Sequence, residues 1–214
     1  MSDRQREREG GIENWFEGWR LFAILALTLA ALCFWIASMR GFEVEGVRMV
    51  IRFTARTSLM FFCLAFSAAA LARLWPNGWT RWQRRNRRYL GVTFAASHAM
   101  HAIAIACFAV MDPAGYAAAT SPASYVFGGI GYAFIIAMAA TSFDRTAAAL
   151  GPRAWRLLHL VGGYYLVFQF TVSFGKRVPD MPLYALFLIP LVLVFVLRVV
   201  SMAQKAAPRT AAAG

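Results

Sequence analysis

The sequence predicts an all-α membrane protein, a six-transmembrane-helix bundle with both termini cytoplasmic. Three observations support this class. First, 60% of the 214 residues are hydrophobic and only 15% are charged, whereas soluble domains contain about 45–50% apolar and about 25% charged residues. Second, the chain contains six apolar runs of membrane-spanning length. Third, the basic residues that flank these runs are distributed unequally between the two sides.

Each of the six apolar runs approaches the length of about 20 residues that a helix needs to cross the hydrocarbon core. The first, second and sixth are continuous, whereas the third contains His98 and His101. The fourth is rich in Gly and Ala, and the fifth is short and contains Gly162 and Gly163. The predicted spans are about 20–39, 53–74, 90–111, 123–142, 157–174 and 181–202.

The basic residues predict the orientation of the spans. With the N-terminus inside, the inner segments contain 16 of the 22 Lys and Arg residues and the outer segments contain 6. Because cytoplasmic loops carry an excess of Lys and Arg, we expect both termini and the Arg-rich loop 73–88 to be cytoplasmic. The same distribution accounts for the net charge of +12. The predicted partner of these charges is therefore the lipid bilayer, and no nucleic-acid partner is predicted.

The six spans leave no segment for a soluble domain. We expect a cytoplasmic N-terminal tail at 1–18, a transmembrane domain at 19–203 and a flexible C-terminal tail at 204–214. A G-x-G-x-x-G loop between a strand and a helix would indicate a nucleotide-binding domain, and the sequence contains none. We therefore expect no flavin or NAD domain in this chain. The three cysteines lie inside apolar runs, form no C-x-x-C pair and are interpreted as packing residues.

The three histidines are the candidate residues for chemistry. His98 and His101 are three residues apart in the third span, so they share one helical face. His159 lies near the start of the fifth span and is followed by Gly162 and Gly163, whose missing side chains would leave room for a flat macrocycle. Ionisable residues inside a membrane are costly and indicate a functional site, and histidine is a common axial ligand of haem iron.

Each of these features also has a structural interpretation. A histidine inside the membrane can hydrogen-bond to a neighbouring helix, and Gly and Ala are ordinary packing residues in spans. Five arginines near the inner ends of the spans can pair with haem propionates or can simply follow the positive-inside rule. These arginines are Arg84, Arg87, Arg88, Arg153 and Arg156. The residues by themselves therefore leave haem binding open.

Three motifs resemble those of the ferric-reductase-like transmembrane domain family. The sequence RRYLG at 87–91, followed by His101, resembles the family's R-R-x-L-G…L-H at the entry to helix three. Residues 141–159, which read TS…LG…WRLLH, resemble its T-S…L-G…W-x-x-L-H at the entry to helix five. The sequence RFTART at 52–57 resembles its R-x-T-G-R at the start of helix two. The resemblance covers about residues 48–175.

The resemblance implies a six-helix bundle that moves electrons across the membrane through b-type haem held between helices three and five. It implies one or two haems, with His101, His159 and His98 as candidate ligands of the haem iron. Electrons would pass from a cytoplasmic flavoprotein or a quinol to an acceptor outside, with a separate flavin reductase or periplasmic oxidoreductase as partner. The sequence looks most like the short bacterial members, such as the haem-binding membrane subunit of the periplasmic methionine sulfoxide reductase system. That likeness implies a multi-pass protein of the bacterial inner (plasma) membrane.

The sequence departs from the family pattern at two ligand positions. The family's helix five usually has a second histidine about thirteen residues after the first, and that position here is Val172. Members with two ligands on helix three have one around Gly91, where this chain has no histidine. At about 1.5 Å per residue, His101 lies roughly 20 Å from the cytoplasmic end of its span and His159 roughly 4–5 Å. We therefore do not expect these two histidines to bind the same iron.

Three interpretations remain open. His98 or His101 holds an outer haem with a weak or absent sixth ligand, or His159 holds an inner haem in the same way. In the third, the haem sites are lost, and the chain is a haem-poor membrane partner or assembly subunit of the same fold with no redox activity of its own. In the first two, the chain is the membrane subunit of an oxidoreductase. A small-molecule transporter is a weaker alternative, because the sequence has no inverted repeat of the kind that many transporters contain.

Overall fold

The structure is a computed structural model that describes residues 16–206. Within that range it contains helices and no strand. Six helical segments are long and apolar enough to cross a membrane, which confirms the predicted all-α class and the number of spans. The outer portions of the predicted tails, 1–15 and 207–214, lie outside the described residues, so the prediction for each tail stays a prediction.

The chain forms nine α-helices and one 3-10 helix between residues 16 and 206. In chain order they are α1 (Gly18–Ser38), α2 (Val44–Leu74), α3 (Gly78–Arg85), α4 (Arg87–Met111), α5 (Pro113–Ala119), α6 (Pro122–Ala140), α7 (Asp144–Leu150), α8 (Pro152–Gly175), a 3-10 helix (Pro182–Phe187) and α9 (Leu188–Ala206). The spans are α1, α2, α4, α6, α8 and the 3-10 helix with α9. The short helices α3, α5 and α7 connect them.

Helix α2 is the centre of the bundle. Its phenylalanines form the core with residues of α4 and α8, and the buried members include Leu59, Phe62, Phe66, Phe94 and Phe170. Large apolar side chains on the other spans are exposed, as expected of surfaces that face lipid rather than water. The core therefore lies where α2, α4 and α8 meet.

Hydroxyl groups join α2 to α4 inside this core. The Ser58 hydroxyl donates to Ser97 Oγ at 3.0 Å, and Thr57 Oγ1 lies 2.9 Å from the same oxygen. Ser58 and Ser97 are fully buried. Small hydroxyl residues let helix backbones approach closely and satisfy polar groups within the membrane. This contact fixes α4, and with it His98 and His101, against α2.

The short helix α3 is anchored beneath the bundle by two buried amides. Gln83 Nε2 donates to the carbonyl of Leu64 at 2.8 Å and to Ser67 Oγ at 3.2 Å. Asn86 Oδ1 accepts from the backbone N–H of Gly18 at 3.0 Å. A buried amide that is hydrogen-bonded in this way specifies one arrangement of its neighbours. The arginines around Gln83 and Asn86 are thereby held at the entrance to α4.

Helix α8 begins with a Gly–Pro pair that determines where His159 lies. Gly151 has φ of +80°, a conformation that residues with a side chain rarely adopt. Pro152 occupies the first turn of the helix, where its missing N–H leaves no hydrogen bond unmade. His159 follows two turns later, close to the end of the bundle that carries α3.

Candidate functional site

His159 packs against two residues at the end of the bundle that carries α3. Its ring lies on Trp155, with centroids 4.2 Å apart and planes inclined by 31°. Its Nε2 is 3.3 Å from Thr141 Oγ1, which is the long end of the range for a hydrogen bond. Trp155 Nε1 donates to the carbonyl of Thr141 at 3.0 Å. The indole and the end of α6 thus orient an imidazole that is only weakly hydrogen-bonded.

A cavity of about 330 Å³ opens beside His159, between α4 and α8. Its inner wall is aromatic and apolar, its mouth is basic, and His159 contributes the imidazole. The lining includes Phe62, Phe66, Phe94, Gly91, Ala95, Met138, Trp155, Gly163, Arg84, Arg85, Arg87 and Arg88. The arrangement suits a flat apolar ligand with anionic substituents at one edge.

The two glycines after His159 provide less free space than the sequence suggested. A Cβ at Gly162 would lie 3.0 Å from Phe134 Cδ1 and from Met138 Sδ, and Gly162 does not line the cavity. A Cβ at Gly163 would lie 2.5 Å from Phe66 Cε2. Neighbouring side chains occupy the space beside both glycines. Gly91 does face open space, since the nearest atom to a Cβ there is Ala65 Cβ at 3.9 Å.

The arginines at the mouth of the cavity differ in their partners. Arg85 Nη2 lies 2.7 Å from Glu17 Oε1, and Arg88 is paired with Asp144. Arg88 donates a hydrogen bond to the exposed Asp144 carboxyl and thereby lowers the pKa of that carboxyl below its usual value of 3.8. Arg84 and Arg87 have no carboxylate within ion-pair distance in residues 16–206. These two guanidinium groups are therefore available to an anionic ligand.

Not every predicted basic residue reaches the cavity. Arg84, Arg87 and Arg88 line it, whereas Arg153 and Arg156 do not, although they lie on the same helix as His159. The cavity faces α4, and only the side of α8 that carries His159 and Gly163 borders it.

His98 and His101 lie in a second cluster, further along α4. Their ring centroids are 5.2 Å apart. His101 Nδ1 is 3.0 Å from Thr54 Oγ1 and 3.1 Å from the carbonyl oxygen of Ile51. The ring of His98 is 4.9 Å from that of Tyr132 on α6. The structure thus brings two of the three histidines together and adds a tyrosine to them.

Aromatic side chains fill the space between the two clusters. The ring of Phe66 is 5.2 Å from that of Phe62, which is 5.6 Å from that of Phe94. Phe94 is in turn 5.7 Å from the ring of His98. His159 borders the cavity at one end of this series, and neither His98 nor His101 lines that cavity. His159 is therefore the only one of the three histidines that lines the cavity.

Val172, which the resemblance aligned with a second histidine on the fifth span, has an exposed side chain on α8. No group of three or more His, Cys, Asp or Glu residues within 16–206 is arranged to hold a metal ion.

Two residues of these sites were missed by the sequence analysis. Tyr132 lies in a Gly- and Ala-rich span, and its sequence context gives no signal. Arg198 lies inside the sixth predicted span and was not singled out. Its guanidinium lies 4.1 Å from the centroid of the Phe66 ring, and its Nη1 donates to the Phe66 carbonyl at 3.2 Å. An arginine inside the last apolar span is itself the signal that indicates an interior role.

The fold and these sites define a multi-pass α-helical membrane protein with histidines inside its bundle. Residues 53–170 match the family described as ferric reductase like transmembrane component, and the chain belongs to that family. The matched segment runs from α2 into α8 and includes all three histidines. A search of curated proteins and a search of solved structures gave no match.

Proposed function

We propose that this protein transfers electrons across the membrane with a b-type haem bound in the cavity between α4 and α8. The observation that carries the proposal is the composition of that cavity in a member of the ferric reductase-like family. One imidazole, apolar aromatic walls and two unpaired guanidinium groups line the same space. Axial ligation, macrocycle packing and propionate pairing each need one of these features.

His159 is the residue that would hold the haem iron. To hold the iron, Nε2 would give up its 3.3 Å contact with Thr141 Oγ1, which is weak and borders the cavity. Trp155 keeps the imidazole plane in place while that contact is exchanged. His159 is the one histidine in the lining of the cavity, so it would be the single histidine that holds the iron. A bound haem supplies a one-electron carrier, and the protein sets its orientation and surroundings.

Arg84 and Arg87 are the proposed partners of the propionates. Guanidinium groups bind carboxylates with paired, charge-assisted hydrogen bonds, and neither arginine is occupied by a carboxylate of residues 16–206. Phe62, Phe66 and Phe94 line the inner wall and keep water from the apolar part of the ligand. The propionates would then lie at the basic mouth, which we propose is cytoplasmic.

The proposed orientation puts both termini and α3 in the cytoplasm of a bacterial cell, with the protein in the inner membrane. The tails at 1–18 and 204–214 then flank a transmembrane domain at 19–203. Electrons enter from a cytoplasmic flavoprotein or a quinol and leave to an acceptor outside. The chain acts as the membrane subunit of an oxidoreductase whose other component is a flavin reductase or a periplasmic oxidoreductase.

A second candidate function is a haem-poor partner or assembly subunit with the same fold. Two observations favour it. Val172 replaces the second histidine on α8 and is exposed, and His159 already has an interhelical partner in Thr141. In this alternative the three histidines only hold helices together.

The absorption spectrum of the purified full-length protein separates the two functions. Expressed with ample haem supply, the wild type should show a Soret band, a dithionite-reduced α-band and about one haem per chain by pyridine haemochrome. His159→Ala should lose most of that haem, whereas the matched variant His98→Ala should retain it. A colourless wild type that is folded by circular dichroism would reject the haem proposal in favour of the haem-poor partner. Unchanged haem in His159→Ala would reject His159 as the ligand.

A further inference from the structure

A positive charge without a carboxylate partner lies inside the last span. Arg198 is on α9, about two turns before that helix ends at Ala206, within the apolar segment Pro182–Lys205. Within residues 16–206, no Asp or Glu lies within ion-pair distance of its guanidinium, and its buried Nε has no hydrogen-bond partner. A charge inside a membrane is costly and indicates a functional role.

Two contacts hold the guanidinium of Arg198 on Phe66. Its central carbon lies 4.1 Å from the centroid of the Phe66 ring, and its Nη1 donates to the Phe66 carbonyl at 3.2 Å. The ring of Tyr164 on α8 is 5.6 Å from the same carbon and stands edge-on to the ring of Phe66, with centroids 5.5 Å apart. Because the negative face of an aromatic ring attracts a cation, these contacts fix where the charge of Arg198 lies.

Phe66 is also a wall of the cavity beside His159, whereas Arg198 does not line that cavity. The charge of Arg198 therefore lies one side chain away from the space in which we propose that haem binds. A protein interior screens a charge much less than water does, so the charge acts on that space without contacting a ligand there. Arg84 and Arg87 differ from Arg198 because they line the cavity and can contact an anionic ligand directly.

We propose that Arg198 raises the reduction potential of the haem beside His159 through its positive charge, acting across Phe66. This inference rests on the proposed binding of haem in the cavity. One electron from the donor converts ferric to ferrous iron and makes the site one unit more negative, and a nearby cation stabilises that state. At an effective dielectric constant of about 20, a unit charge about 10 Å away changes such an equilibrium roughly tenfold. A tenfold change corresponds to about 59 mV for a one-electron couple.

Potentiometric titration of the full-length, haem-loaded protein tests the role of Arg198. Arg198→Gln removes the charge, and Arg198→Met removes it with a side chain that suits an apolar span. Each variant should keep its haem and lower the equilibrium constant for haem reduction about tenfold. Arg198→Lys keeps a positive charge and should retain most of the wild-type value, which a purely structural role of the guanidinium would not predict.

Arg73→Gln is the matched control. Arg73 Nη1 also joins α2 to α9, since it donates to the carbonyl of Ser201 at 3.0 Å, but Arg73 does not line the cavity. The variant removes one charge and one contact between the same two helices. It should leave the reduction potential at the wild-type value.

The outcomes separate this inference from the haem proposal. A wild-type potential in haem-containing Arg198→Gln and Arg198→Met would overturn the inference and leave the haem proposal intact. An equal decrease in Arg198→Lys or in Arg73→Gln would also overturn it, because the packing of α9 would then set the potential. Loss of haem from both neutral variants would overturn it by giving Arg198 a role in holding the haem. A wild type that binds no haem would reject the haem proposal and this inference with it.

Discussion

Phe66 occupies the space where Gly163 has no side chain. A Cβ at residue 163 would lie 2.5 Å from Phe66 Cε2, closer than two carbon atoms can approach without moving. The guanidinium of Arg198 covers the same phenylalanine, 4.1 Å from the ring centroid. Three helices thus meet on one ring that also forms a wall of the cavity beside His159. A change in the packing around Phe66 should therefore also change the shape of the cavity beside His159.

Gly163→Ala should destabilise the protein and reduce its haem content. Overpacking of a close-packed core costs about 1–3 kcal/mol, which exceeds the gain of up to about 1 kcal/mol from replacing a helical glycine by alanine. The measurement is the midpoint of thermal unfolding by circular dichroism, together with haem per chain. Gly129→Ala on α6 is the matched control, since no atom lies within 4 Å of a Cβ there, and it should keep or raise the midpoint.

A double-mutant cycle assigns this effect to the Phe66 contact. Phe66→Leu removes the ring edge that the new methyl group would strike, so Gly163→Ala should lower the midpoint less in that background than in the wild type. An equal decrease in both backgrounds would show that the cost of Gly163→Ala arises from another contact.

The pair formed by Arg88 and Asp144 should remain intact at neutral pH and be lost only in strong acid. The hydrogen bond from Arg88, followed by its positive charge, lowers the pKa of the Asp144 carboxyl below 3.8 in the folded protein. A group with a depressed folded-state pKa contributes stability above its unfolded pKa, and loses that contribution as the pH falls through the folded pKa. Because Asp144 is exposed, we expect little effect on global stability.

Carbon-13 NMR of labelled aspartate in the solubilised protein can follow this carboxyl directly, with Asp144→Asn identifying its signal. The Asp144 pKa should lie below 3.8 in the wild type, and Arg88→Gln should raise it. A pKa that is the same in both proteins would show that Arg88 is not the cause of the shift. Asp180 lies in another loop and supplies a reference signal that Arg88→Gln should leave in place.

Sequence alone was sufficient for the number of spans and for most of their positions, because apolar length determines what crosses a bilayer. It was less accurate at the start of α2, which begins at Val44 rather than near residue 53. That extension contains Glu45 paired with Arg52 at 3.1 Å. Such charges lower the local hydropathy, so apolar length alone does not indicate that the helix continues there. Glu45 Oε2 also lies 4.0 Å from Nε of Arg48, three residues further on, and ion pairs at this spacing can support a helix.

For the candidate sites as well, the sequence predicted some features and not others. The spacing of His98 and His101 on one helical face was enough to bring them together. The contact of His98 with Tyr132 depends on how α6 is rotated against α4, which a run of Gly and Ala does not determine. The interpretation of Gly162 as free space was wrong, because Phe134 and Met138 of α6 lie where its side chain would be. Gly163 does line the cavity, but Phe66, from a helix far away in sequence, fills the position that its Cβ would take.

The basic mouth of the cavity should face the cytoplasm. Two exposed positions at opposite ends of the bundle test this orientation, Arg81 on α3 and Met181 just before the 3-10 helix. Each is replaced by cysteine in a chain whose three natural cysteines have been changed to alanine. Because Lys and Arg are enriched on the cytoplasmic side, a membrane-impermeant maleimide added to spheroplasts should label Met181→Cys and leave Arg81→Cys unmodified. Inverted membrane vesicles should give the reverse result. Labelling of Arg81→Cys in intact spheroplasts would place α3 outside, and electrons from a cytoplasmic donor would then have to enter at the end of the bundle opposite His159.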